Sequence, residues 1–150
     1  MPCLGAVAYD PATAENKVTT AALAMTAFDT TNARITFNAP PSGRVLVRIR
    51  CTIHGATTFP QILLGVLDGS TIKGRVAPVG ALPGTALATT FMGVEALFTV
   101  GGLTPTNSYT FDAAYAVETA VTSTGIKYGG PNDTTANNAW GALIYEIWDA

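Results

Sequence analysis

Residues 44–54, RVLVRIRCTIH, alternate without a break. Val45, Val47, Ile49, Cys51 and Ile53 fall on one side. Leu46, Arg48, Arg50, Thr52 and His54 fall on the other. A period of two is the signature of a β-strand with one apolar and one mostly polar face. A strand of this length needs hydrogen-bonded partners at its edges and a second layer over its apolar side. The chain is thereby committed to packed sheets.

The remaining segments agree. RITF places Ile35 and Phe37 opposite Arg34 and Thr36, and APPSG follows as a turn with Pro40, Pro41 and Gly43 as breakers. QILLGVL, DGS and TIKGRVAPV read as a hairpin with Asp68-Gly69 at the turn. PGTALATTFMGVEALFTV reads as a long strand bent at Gly93, and YTFDAAYAV sets Tyr109, Phe111, Ala113, Tyr115 and Val117 on one face. Helical periodicity is weak. The one candidate, Thr20 to Phe28, has no convincing C-cap and runs into the turn-forming DTTN, so strand or irregular structure is expected there. About eight strands without a crossover helix predict an all-β, single-domain jelly-roll β-sandwich. Residues 17–150 form that domain, and residues 1–16, MPCLGAVAYDPATAEN, read as a non-core N-terminal arm.

The closing segment, NNAWGALIYEIWDA, is apolar on both faces. Trp140, Ala142, Ile144, Glu146 and Trp148 alternate with Gly141, Leu143, Tyr145 and Ile147. One face can pack on the opposite sheet. The other would stand in water in a monomer, at roughly 25 cal/mol per Å² of apolar surface. Self-association removes that penalty, and the alternative is that the tryptophans cover the ends of the sandwich. Composition favours association: charged residues are only 12% of 150 residues, and mean hydropathy is +0.31. A homo-oligomer is expected, with Trp140, Leu143, Tyr145 and Ile147 as candidate contacts. No apolar run approaches the ~18 residues that span a bilayer. MPCLGAVAYD lacks the basic and apolar regions of a signal peptide.

Chemistry-bearing patterns are sparse. His54 and Cys51 lie three apart, on opposite faces of one strand, so they form no dyad. Cys51 reads as a buried, inert thiol and Cys3 as exposed, and their spacing matches no metal motif. The ten acids are scattered. No phosphate-cradling glycine motif is present. Arg44, Arg48 and Arg50 share a strand face, but a net charge of -2 argues against nucleic acid. Cross-strand pairing with Asp112, Glu118 or Glu146, or an ionic subunit contact, is expected instead. The loop YGGPNDTTANN offers Tyr128 as a stacking ring and Asn132, Asp133, Asn137 and Asn138 as hydrogen-bonding groups for a glycan. Its other reading is a connection that caps its own backbone. No enzyme, cofactor or bound metal is expected.

NNAWGALIYEIWDA, GRVLVRIRCTIHG and SYTFDAAYAVE resemble the trimeric jelly rolls of the tumour-necrosis-factor and C1q-like type, without the collagen-like stem of the latter. TTFPQILLGVLDGSTIKGRVAPVGA and GIKYGGPNDTTANNAWGALIYEIWDA resemble small phage virion proteins, namely head-decoration proteins and fibre tips. The resemblance runs from about Lys17 onward. It implies a trimeric structural protein of the virion without catalytic residues. Its partners would be itself and capsid or tail proteins, with a host-surface glycan as the alternative ligand, and neither nucleic acid nor membrane is implied.

Overall fold

The computed structural model describes residues 1–17, 24–55, 62–78, 90–117, 125–135 and 138–150. Among these, the strands are β1 (Cys3–Tyr9), β2 (Glu15–Lys17), β3 (Thr26–Ala27), β4 (Arg34–Asn38), β5 (Val45–Gly55), β6 (Ile62–Asp68), β7 (Thr71–Val76), β8 (Thr90–Val100), β9 (Ser108–Val117), β10 (Gly125–Tyr128) and β11 (Leu143–Asp149). They make two sheets. One is six-stranded: β1, β11, β5, β10 and β2 follow in order, and β8 lies on the other edge of β5. The second is five-stranded: β3, β9, β6 and β7 in order, with β4 also on β9. All pairings are antiparallel. With the short β2, β3 and β10 set aside, the orders β1-β11-β5-β8 and β4-β9-β6-β7 are those of an eight-stranded jelly roll.

The alternation read from the sequence orients the sandwich. Val45, Val47, Ile49, Cys51 and Ile53 face inward from β5, and Val94, Ala96, Phe98 and Val100 face inward from β8. Phe111, Ala113, Tyr115 and Val117 of β9 meet them from the other sheet, with Ile35 and Phe37 of β4 and Ile62, Leu64 and Val66 of β6. Two inner faces that interdigitate in this way are the core of a β-sandwich. Arg34 and Asp112, neighbours on the outside of the second sheet, close a two-pronged ion pair at 2.6 and 2.9 Å over an otherwise buried carboxylate.

Several expectations need correction. Residues 1–16, expected as a non-core arm, contribute β1 and most of β2 to this chain's own six-stranded sheet. β1 pairs with β11 from Cys3↔Trp148 to Tyr9↔Leu143, Leu4, Val7 and Tyr9 pack on the core, and Gly5 abuts Ile35 so closely that a Cβ there would collide with it. The hairpin turns one residue later than expected. Asp68 pairs with Thr71, which leaves Gly69-Ser70 as the loop. Only Gly69 has a positive φ, 60°, as the first central residue of a type II′ turn requires. β8 carries no bulge at Gly93: its register with β5 runs unbroken from Val45↔Val100 to Gly55↔Thr90. The Thr20–Phe28 segment is described only from residue 24, where Thr26–Ala27 is strand and Phe28 is buried.

Candidate functional site

The outer face of the six-stranded sheet is built in rows by cross-strand register. Cys3, Trp148, Leu46 and Thr99 form one row. Ala6, Glu146, Arg48 and Leu97 form the next, then Ala8, Ile144, Arg50 and Glu95. Beyond them come Lys127, Thr52 and Gly93. Alternation puts every one of these on the side away from the core. Ala6 and Ala8 are exposed, Leu46, Ile144 and Trp148 are half-buried, and Leu97 is 54% exposed. The face is therefore apolar at its rim and charged across its middle.

Arg48 organises the charge. Its guanidinium meets Glu95 at 2.8 Å and Glu146 at 3.3 Å. Hydrogen bonding to Glu95 first, and then to Glu146, pushes its pKa above the ordinary arginine value. Glu95 stands opposite Arg50 in the register but is drawn diagonally to Arg48. Arg50 is left exposed, with no ion pair among the described residues. Of the expected arginine partners, Glu146 takes Arg48, Asp112 takes Arg34 on the other sheet, and Glu118 lies outside the described residues.

A hollow of about 280 Å³ opens beside Arg50. Its origin is a gap in strand pairing. Along one edge of β5, β11 pairs as far as Arg50↔Ile144 and β10 begins at Thr52↔Lys127. At Cys51 neither strand is opposite, because the chain leaves the sheet between them. Arg50, Thr52, Gly93, Gly141, Ala142 and Ile144 surround the opening.

The excursion between β10 and β11 is the loop proposed from sequence as a ligand site. Its neck is closed by Trp140 N–H to Gly129 O at 2.8 Å and Gly129 N–H to Gly141 O at 3.2 Å, and Gly130 N–H binds Pro11 O at 2.8 Å. Gly130, at φ 72°, lies so close to the Asn138 carbonyl that no side chain fits. Asn132, Asp133 and Asn138 are exposed. Asp133 is already engaged, with its carboxylate accepting from Thr135 N–H at 2.8 Å. Tyr128 is fully buried between Tyr9 and Phe28, at ring distances of 5.6 and 5.8 Å. It presents no face to a sugar, which corrects its role as a stacking ring. Asn137 lies outside the described residues.

The candidate subunit contacts divide in the same way. Leu143, Tyr145 and Ile147 are fully buried in the chain's own core, because β11 turns this face toward β9. They are not available to a neighbour, and the outward face of β11 is Ile144, Glu146 and Trp148. Trp140 is buried beside the sheet, with its ring 5.4 Å from that of His54 and the Lys127 ammonium 5.3 Å from its centre. His54 faces outward while Cys51 faces the core, where burial alone pushes the thiol up to about 12. Cys3 and Cys51 are both free thiols, one exposed and one buried. Among the described residues no three His, Cys, Asp or Glu side chains converge to hold a metal ion.

Sequence reading missed Glu95 as the main partner of Arg48, and it missed the hollow. The first was hidden because register, not composition, decides which acid stands beside which arginine. The second had a signal, namely a glycine, Gly93, inside a long strand pattern. No known protein-family model matches the chain, and no curated protein matches it either.

Proposed function

We propose that this chain is a non-enzymatic structural protein of a phage particle, and that it decorates and stabilises the capsid as a homotrimer. The observation that carries the reading is the outer face of the six-stranded sheet. There Ala6, Ala8 and Leu97 are exposed and Leu46, Ile144 and Trp148 only half-buried, in a single chain of only 12% charged residues. Contact with another subunit withdraws that surface from water. The sequence resemblance to small virion proteins supports the same role and a virion location.

The test has two parts. Light scattering should give a trimer mass at micromolar concentration, and the protein should cosediment with empty particles of the parent phage. A monomer mass, or no cosedimentation, refutes the reading. A glycan array on the native protein separates the alternative, a receptor-binding tip module. That alternative rests on the 128–138 loop, whose Tyr128 is buried and whose Asp133 binds its own backbone. Glycan signal without particle binding would favour it.

A further inference from the structure

The hollow beside Arg50 contains two glycines that nothing in the chain itself requires. Gly93 and Gly141 both lack a positive φ, and a Cβ built on either meets no atom within 4 Å. Gly93 sits within an unbroken strand register. A glycine in a strand weakens it, and where it makes no bulge it marks a tight bend or close approach by another backbone or a ligand; the open space over Gly93 fits the second. Here the two glycines keep one opening free on one face.

The charges around the opening say what approaches. Arg50 is exposed and without an ion pair among the described residues, since its cross-strand neighbour Glu95 is held by Arg48. Asp10 follows directly on β1, two strands away across β11, and it too is exposed without an ion pair among the described residues. One chain thus carries an open cation and an open anion on either side of β11, and they do not pair with each other. Such a surface is complementary to itself. In a closed ring each copy gives its acid to one neighbour and its base to the other, so every charge is matched.

We propose that this hollow is the seat of a second copy of the chain. Arg50 receives Asp10 of the partner subunit, and the neighbour's backbone lies over Gly93 and Gly141. The proposal rests on the homo-oligomeric reading above and assigns it a contact.

The experiment is sedimentation with fluorescence detection over a nanomolar-to-micromolar dilution series. It compares the wild type with Gly93→Val, Arg50→Glu, and the charge swap Arg50→Glu with Asp10→Arg. Thermal unfolding of each confirms that the fold is intact. Gly93→Val puts a side chain into the hollow from a Cβ that meets no atom of the chain within 4 Å. It should weaken self-association roughly tenfold or more while leaving thermal stability equal or higher. Arg50→Glu should weaken it similarly, and the swap should restore most of the loss. If the wild type associates and the folded single variants match it, or if the swap is no better than Arg50→Glu, the proposed contact is overturned while the assembly reading stands. A wild type that stays monomeric overturns both.

Discussion

The Tyr145 hydroxyl donates to the carbonyl oxygen of Phe111 at 3.3 Å, a bond that runs from β11 in one sheet to β9 in the other. Both side chains are fully buried, so the bond forms in the dry centre of the sandwich. Tyr145→Phe keeps the ring and removes only this bond. It should lower unfolding stability by about 1 kcal/mol in urea denaturation. Tyr145→Glu places a carboxylate in the same space and should unfold the chain, not merely separate subunits. A folded, monomeric Tyr145→Glu protein would contradict the placement of this face in the core.

Alkaline pH should destabilise the fold. Burial raises the Tyr145 and Tyr128 phenols far above their ordinary value of 10.0, and it raises the Cys51 thiol from 9.0 to about 12. Each folded value lies above its unfolded one, so the fold favours the neutral form. The stability these groups contribute is intact below the unfolded pKa values and is lost as pH rises past them. The Tm should hold to about pH 8.5, where free thiols begin to ionise, and fall steeply above about pH 10. Cys51→Ala should delay the onset. A Tm unchanged through pH 11 would contradict this account.

The two thiols should be kinetically distinct. A thiol-specific reagent at mildly alkaline pH should modify Cys3 rapidly in the native protein and reach Cys51 only after unfolding. Stoichiometry read with and without denaturant checks this. Two fast equivalents in the native state would place Cys51 outside the core.

Deleting residues 1–9 should damage folding. The deletion removes β1, strips the outer edge of β11 and uncovers Ile35, against which Gly5 is pressed. Leu4, Val7 and Tyr9 leave the core with it. At roughly 1 kcal/mol for each half-buried side chain, the loss is about 3 kcal/mol before the bared strand edge begins to aggregate. Circular dichroism and solubility of the truncated protein are the readout. A truncated chain with the wild-type Tm would mean that the strand is dispensable.

Local pattern carried much of this fold. The alternation of Val45 to Ile53 and of Phe111 to Val117 needs no partner to be read, and both runs face inward as expected. Pattern failed where both faces of a strand are apolar. In the closing segment parity separates Leu143, Tyr145 and Ile147 from Ile144 and Trp148, but it does not say which set meets β9. β1 was illegible for a related reason. Its strand character rests on partners such as Tyr145 for Val7, at the opposite end of the chain. The hollow is harder still to see, since it arises where β10 and β11 leave a gap at Cys51, and only the register reveals that gap.

The pairing of β1 with β11, reinforced by Asp149 N–H to Pro2 O at 2.9 Å, has a consequence for synthesis. On the ribosome β1 must wait for β11, which is made much later. β5 is in the same position, because one of its edges is filled by β11. No growing intermediate that lacks β11 can complete the six-stranded sheet, and the nascent chain carries unmatched apolar strands until β11 emerges. Long-range pairing of this kind makes closure slow and exposes the chain to aggregation on the way. The rate at which β11 becomes available should therefore govern yield in a cell, and chaperone binding should concentrate in the interval before it emerges.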